Sequence, residues 1–275
     1  MIVRLAAVFA HPDDDAWTIG GTLAMHAREL DPTIVLCTSG GNGPIWEPVA
    51  TRETLAQVRE SEQREWCAAI GIPNARVEFF RYTDGDLATV GREELIGRLT
   101  SILEEVQPHV VVTVGPDGMT RHADHIRAGE AGGEAFHRAR SASDGGSGGF
   151  ARLYHVALRR STLPEYYRAA RERHLPLGDD ETPLNPVGGP DDRVAGDVDV
   201  SRVYDVKVEA IARHRSQIGE LLRIPRDLQP LHLAHERSGQ AWPTRDGDAM
   251  VAADLFSGVE KRVTDATVVV VGSIN

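Results

Sequence analysis

Three things are scarce in this chain of 275 residues: long apolar runs, cysteine and positive charge. No apolar stretch reaches the roughly 20 residues that a bilayer span takes, so no membrane span is expected. The first such run, Ile2 to Ala10, passes straight into acidic residues with no small-residue cleavage site. It reads as neither an anchor nor a signal peptide. The two cysteines are Cys37, in a strand pattern, and Cys67, in a helical one. Both read as buried, reduced thiols, which suits a cytoplasmic protein, although sequence alone leaves a disulfide between them open. Acidic residues outnumber basic ones 41 to 30, for a net charge of −11 and a pI near 5.5. A general nucleic-acid binder needs a basic face, so nucleic acid is excluded as a partner, while a local basic pocket is not. Also absent is any G-x-G-x-x-G or Walker pattern after the first strand; Gly20-Gly21 alone does not make a phosphate loop. No internal repeat is present.

What is there fits one large α/β domain, with 41% hydrophobic residues for its core. Ile2 to Ala10 is broken only by Arg4 and reads as a strand buried on both faces. Thr18 to Leu30 has helical apolar spacing at Ile19, Leu23, Ala27 and Leu30, and Gly20-Gly21 would let that helix pack closely on the sheet. A strand at Thr33 to Cys37 and a glycine-rich loop at Ser39 to Pro44 follow. Next come a helix at Thr51 to Ile70, a strand at Arg76 to Phe80, a helix at Glu93 to Val106 and a strand at His109 to Val114. This alternation predicts a mostly parallel, Rossmann-like sheet flanked by helices. Residues 1–140 form the core, and a smaller, irregular part, 141–275, shapes the substrate site. In that part Ser141 to Gly149 reads as a linker and Leu153 to Leu158 as a strand. Pro176 to Gly196 reads as a disordered segment or a lid, Val206 to Leu222 as a helix, and Thr267 to Val271 as a late strand.

Two short stretches carry chemistry. His11-Pro12-Asp13-Asp14-Asp15 follows the first strand. Three consecutive carboxylates repel one another, so a turn that holds them invites a cation. His11 and Asp14 can each give a metal one ligand atom, leaving Asp13 beside them as a base. Pro-Asp-Asp is also ordinary turn and N-cap material. The second stretch, His122-Ala123-Asp124-His125, decides between these readings. It follows the strand Val110 to Val114 and opens another helix. Two His/Asp clusters at carboxyl ends of parallel strands face one crevice.

Ala10-His11-Pro12-Asp13-Asp14 with His122-x-Asp124-His125 resembles the PIG-L / LmbE-like family of zinc-dependent N-deacetylases. Supporting matches are Ser39-Gly40-Gly41, Arg59-x-x-Glu62, Tyr82-Thr83-Asp84-Gly85 and, late in the chain, His214-Arg215-Ser216-Gln217. The resemblance covers most of the chain, most firmly the first 130 residues. It implies a hydrolase that removes an N-acetyl group from an amino sugar or related glycoconjugate, a small-molecule substrate. The near alternative is an amidase of larger thiol or sugar conjugates. His11, Asp14 and His125 are the implied ligands of one Zn2+, with Fe2+ as the other ion that two His and one carboxylate accept. Asp13 is the implied base, His122 steadies the oxyanion or acts as acid, and Asp124 bonds His122 or a ligand His. Arg59 and Asp84 are expected to face substrate, with His214 a further candidate. His26, His137, His155, His174, His232 and His235 have no comparable setting. Two departures stand out. The usual Glu after Asp-Asp is Asp15, one methylene shorter, and a Tyr that some relatives carry two residues before the second motif is Thr120. A non-haem iron enzyme and a nucleotide-binding module are the readings from other classes; the missing glycine fingerprint weighs against the second. Sequence leaves open whether the chain forms a homo-oligomer.

Overall fold

The computed structural model describes residues 2–46, 48–143, 148–158, 168, 172–173, 193–244 and 252–259. The elements run β1 (Val3–Phe9), α1 (Asp14–Thr18), α2 (Gly20–His26), β2 (Leu30–Thr38), α3 (Leu55–Ala69), β3 (Arg76–Tyr82), α4 (Arg92–Val106) and β4 (Val110–Val114). They continue through α5 (Gly118–Arg121), α6 (Ala123–Ala142), β5 (Arg152–Val156), β6 (Gly196–Asp199), α7 (Tyr204–Ile211), α8 (Gly219–Arg223), α9 (Gln229–Leu233) and β7 (His235–Trp242). Seven strands form one sheet in the order β3-β2-β1-β4-β5-β7-β6. The first five pair in parallel, and β7 runs antiparallel to both of its neighbours.

The apolar run at the start of the chain thus becomes a central strand. One core packs Leu5, Ala7 and Phe9 of β1 with Leu23, Trp66 and Ile211. The other packs Ala6 and Val8 with Leu99, Leu103, Ala135 and Phe136. The alternating side chains of one strand therefore feed two helical layers. Strand order reverses between β1 and β4, which places a crevice at their carboxyl ends. Helix α6 comes tightly onto this end of the sheet. A Cβ on Gly129 would lie 2.3 Å from the Val114 carbonyl oxygen, so only glycine permits that approach.

Several elements differ from the sequence reading. The helix expected over Thr18 to Leu30 runs only from Gly20 to His26; Thr18 ends a separate helix that begins at Asp14, and Leu30 already belongs to β2. The chain breaks at Ile19, with φ −135°. There the Glu236 carboxylate accepts from the backbone N–H groups of Gly21 and Thr22, at 2.7 and 2.8 Å. A carboxylate more than two hundred residues away thus starts a new helix. Gly21 packs on Val200, not on the sheet; a Cβ there would lie 2.7 Å from Val200 Cβ. The helix expected over Val206 to Leu222 ends at Ile211, followed by a 3-10 turn at Arg215–Gln217 and then α8. The Ser216 N–H is drawn to Glu62 Oε1 at 2.8 Å, so it is lost to helix continuation. Strand β7, rich in polar residues, was not expected. The proposed strand Thr267 to Val271 and nearly all of the Pro176 to Gly196 segment lie outside the described residues. Strands β5, β6 and β7 complete the sheet begun by the first 140 residues. Cys37 and Cys67 are both free and buried. Among the described residues no helix is long and apolar enough to cross a membrane.

Candidate metal centre

The first motif forms where β1 ends. The backbone N–H groups of Ala10 and His11 donate to Asp14 Oδ2, at 3.2 and 2.9 Å. This curls the Asp14 side chain back over the strand end and leaves Oδ1 free to face His125. Asp13 sits at φ 100°, a conformation an L-residue holds only under constraint, at about 1–3 kcal/mol. Helix α3 supplies the constraint. Gln63 Oε1 accepts from Asp13 N at 3.2 Å, and Arg59 Nη2 donates to Asp13 Oδ2 at 3.1 Å and to the Pro12 carbonyl.

The second motif follows β4 through a turn with three positive φ values, Gly118 (69°), Met119 (58°) and Arg121 (63°). His122 then caps α6, its Nδ1 accepting from Asp124 N at 3.2 Å. His125, one turn into the helix, swings under the end of β1.

The ring nitrogens of two histidines and both oxygens of Asp14 converge. His11 Nδ1 lies 3.2 Å from His125 Nε2, which lies 3.2 Å from Asp14 Oδ1; His11 Nδ1 and Asp14 Oδ2 are 3.8 Å apart. Donors held about 2.0–2.1 Å from a tetrahedral ion stand about 3.3 Å from one another. The outward nitrogens of both rings are also engaged. His11 Nε2 meets Asp84 Oδ1 at 3.0 Å and Asp124 Oδ2 at 3.2 Å. His125 Nδ1 meets the Gly118 carbonyl and Thr120 Oγ1, each at 3.3 Å. An outward N–H held by a carboxylate or carbonyl is how ligand histidines are oriented. Among the described residues two other groups bring one ligand atom from each residue within 4.8 Å of one another: His11, His122 and His125, and His11, Asp84 and Asp124. The latter uses His11's outward nitrogen, and Asp124 there also accepts from Gly85 N and Leu87 N at 2.8 and 3.0 Å.

The electrostatics point the same way. Asp13, Asp14, Asp84 and Asp124 crowd two imidazoles, with Arg59 alongside. Burial alone would lower His11, but Asp124 and Asp84 override it and raise the imidazole to about 10. Asp14 is held well below the carboxylate range by His125 despite burial. Burial pushes Asp13 up to about 8 against the pull of Arg59. A cluster that drives its own histidine to ionise is short of a cation. The His122 ring, 5.0 Å from both other rings, is lowered by burial and by these two neighbours. Its cap bond makes Nδ1 the acceptor, so the neutral ring carries its proton on Nε2 and presents a donor.

The remaining expected residues divide. Asp84 reaches the cluster through His11. Arg59 is buried and does not pair with Glu62. It holds Asp13, Pro12 and the Gly40 carbonyl, while Glu62 accepts from Ser216. His214 is 1% exposed, with both ring nitrogens unpartnered and its ring 6.3 Å from that of Trp66. The Asp124 carboxylate bonds His11, and only its backbone N–H meets His122. Asp15, wholly buried, accepts from Gln63 Nε2 at 2.7 Å and reaches neither histidine. Two residues were missed. Gln63 ties Asp13 to Asp15, and its place four residues after Arg59 on one helix face was the available signal. Asn42 holds Asp84 through its backbone N–H at 2.8 Å and its side-chain amide at 2.7 Å, from a loop with no periodicity to reveal it.

Comparison with known proteins bears on this site. Residues 6–136 match the family model PIG-L, GlcNAc-PI de-N-acetylase. The chain is 32% identical over 238 residues to the 1D-myo-inositol 2-acetamido-2-deoxy-alpha-D-glucopyranoside deacetylase of Saccharomonospora viridis, covering 77% of this chain and 84% of that one. Its identity to the protein of that name from a Mycobacterium species is 31%, covering 79% and 75%. Among solved structures, the N,N'-diacetylchitobiose deacetylase of Pyrococcus horikoshii aligns with TM-score 0.58 at 19% identity, over 86% of this chain and 83% of that chain. The 4-carboxy-2-hydroxymuconate hydratase GalB of a pseudomonad aligns equally well, TM-score 0.58 at 20% identity, over 91% and 100%. The architecture is therefore shared by enzymes of different reaction classes, and the site must carry the functional argument.

Proposed function

Because the chain belongs to the GlcNAc-PI de-N-acetylase family, we propose that it is a metal-dependent hydrolase that removes the N-acetyl group of an amino sugar. The observation that carries this is the trio of His11, Asp14 and His125, spaced 3.2 to 3.8 Å apart with its outward nitrogens tied down. These three residues would hold one divalent ion. Two imidazoles and one carboxylate with open positions suit Zn2+, and Fe2+ is the other ion the set accepts. When bound, the ion supplies a Lewis acid for the amide carbonyl and lowers the pKa of water.

The chain's own groups divide the remaining work. Asp13, pinned by Arg59 and Gln63, takes the proton from the attacking water and returns it to the leaving amine. His122 directs its Nε2–H at the carbonyl oxygen as charge builds there. Asp124 and Asp84 fix the His11 ring, and Thr120 and the Gly118 carbonyl fix the His125 ring. The substrate is a small glycoconjugate; the relatives are named for an acetamido sugar joined to a cyclitol. Reduced Cys37 and Cys67 fit a cytoplasmic setting.

The test is acetate release by the metal-loaded protein from a panel of N-acetylated sugars, free and cyclitol-linked. Asp13→Asn should keep its metal and lose about a hundredfold or more in turnover. Release from none of the panel overturns the reading.

A further inference from the structure

The loop Gly40 to Trp46 forms one wall of the crevice. Its Gly40 carbonyl accepts from Arg59, and Asn42 holds Asp84. A Cβ at Gly43 would lie 2.8 Å from Arg59 Nη1 and 3.1 Å from Gln217 Oε1. The loop ends on Trp46, whose N–H donates to the Ser216 carbonyl at 3.0 Å, while Gln217 Nε2 donates to the Pro44 carbonyl at 2.7 Å. Arg52 also holds the loop from outside, donating to the Gly41 and Gly43 carbonyls at 2.8 and 2.9 Å, while Arg59 and Asn42 tie it to the site.

Trp46 is 41% exposed, whereas Trp17 and Trp242 are half-buried and Trp66 is buried. Its indole is nonetheless seated. A Cβ on Gly219 would fall 1.8 Å from Trp46 Cδ2, so the ring lies directly on that glycine. The Arg223 guanidinium sits 4.4 Å from the ring centroid. Gly219 and Arg223 are one turn apart on α8, and with both against it the indole still keeps about two-fifths of its surface in solvent. Glu220, the residue after Gly219, is exposed to solvent. Its charge is felt by Asp13, and it is itself influenced by Arg59, Asp14 and His125.

We infer that Trp46, backed by Gly219 and flanked by Glu220 and Arg223, is the platform for the second, non-acetylated ring of the substrate, a polyhydroxylated six-membered ring. The C–H face of such a ring is apolar and slightly positive, and it matches the negative face of an indole. Its rim of hydroxyls finds an acceptor in Glu220 and donors in Arg223. A bare glycine under the indole makes chemical sense on this account. Any side chain at position 219 would push the platform out of place.

The inference rests on the hydrolase reading, and the experiment separates the two. The kcat/KM for N-acetylglucosamine linked to inositol is compared with that for its methyl glycoside. The metal-loaded wild type should favour the two-ring substrate. Trp46→Ala should lower that preference about tenfold through KM, the cost of truncating an aromatic anchor. Trp46→Phe should keep most of it, and Gly219→Ala should act like Trp46→Ala. Binding of inositol alone should quench tryptophan fluorescence in the wild type and not in Trp46→Phe. Equal wild-type rates on both substrates, or a parallel fall on both in Trp46→Ala, would overturn the platform and leave the hydrolase standing. A wild type that hydrolyses neither overturns the hydrolase reading and the platform with it.

Discussion

Two of the buried charge groups among the described residues are built in opposite ways. At the carboxyl ends of β1 and β4, four carboxylates gather round two histidines with Arg59 beside them, and His11 is driven to ionise. Lys207 of α7 and Glu236 of β7 form the other group, with 1 and 3% of their side chains exposed. Lys207 Nζ lies 2.6 Å from Glu236 Oε1 and 3.2 Å from the Leu233 carbonyl, while Glu236 also caps α2. One positive and one negative charge, fully partnered, make a closed structural joint. An unbalanced set on strained backbone makes a socket. Burial alone does not mark a functional site; an unmet charge does.

Breaking the socket should give the largest effect. His125→Ala removes a donor whose two contacts of 3.2 Å define the trio. Elemental analysis should find the metal stripped or greatly weakened, and turnover lost with it. Full occupancy in that variant would reassign the ligands. Next in size, His122→Ala should retain the metal and lower kcat roughly a hundredfold to a thousandfold, the ~3–4 kcal/mol of one oxyanion donor. His122 also caps α6, so His122→Asn, which keeps a cap acceptor without the imidazole, is the control. A His122→Asn enzyme at full kcat would mean that another group meets the oxyanion.

Breaking the closed joint should do the reverse. Lys207→Met leaves the Glu236 carboxylate buried without its cation, at a cost of about 3–5 kcal/mol in unfolding free energy. Metal content per folded chain should not change. A loss of metal at unchanged stability would erase the contrast between the two groups.

The socket was legible in the sequence and the joint was not, for a physical reason. His11 to Asp14 and His122 to His125 are short motifs directly after apolar strands, so their meeting follows from parallel pairing and strand order alone. Glu236 lies in a strand whose polar residues alternate without an apolar signal, and its partners Gly21 and Thr22 are over two hundred residues distant. The break at Ile19 was hidden for the same reason, since helical apolar spacing runs straight through it. Asp124 was read as bonding His122 or a ligand His. Its place after an N-cap residue turns its carboxylate to His11, which spacing could not decide.

A smaller effect tests a buried histidine that feels the charges of Arg59 and Asp14. His214 is buried against Trp66, with Arg59 and Asp14 the charged groups that act on it, and burial followed by Arg59 lowers it to about 3. Its pKa in the unfolded chain is about 6.5. Unfolded chain therefore takes up the proton first, so stability is whole above pH 6.5 and is lost as pH falls toward 3. At pH 5 the loss from this residue is about 2 kcal/mol. His214→Phe removes the titration, so the wild-type deficit relative to the variant should open below pH 6.5 in denaturant melts. A difference that stays flat from pH 8 to 5 would show that His214 is not held neutral.

The smallest effect lies at Thr120, where some relatives carry a phenol. Its hydroxyl stands 3.3 Å from His125 Nδ1, and the Gly118 carbonyl stands at the same distance. The ring thus has two partners on its outward side, and losing one should loosen it without freeing it. Groups of this kind are worth 10- to 100-fold in metal affinity, and with Gly118 intact the lower end applies. Thr120→Val, which keeps the shape and deletes the hydroxyl, should weaken the metal about tenfold in a chelator competition and leave kcat of the loaded enzyme nearly unchanged. If kcat falls and affinity holds, Thr120 acts on the substrate side, in the place of the phenol. In that case Thr120→Tyr should recover rate in the His122→Ala background, as the next group able to meet the oxyanion.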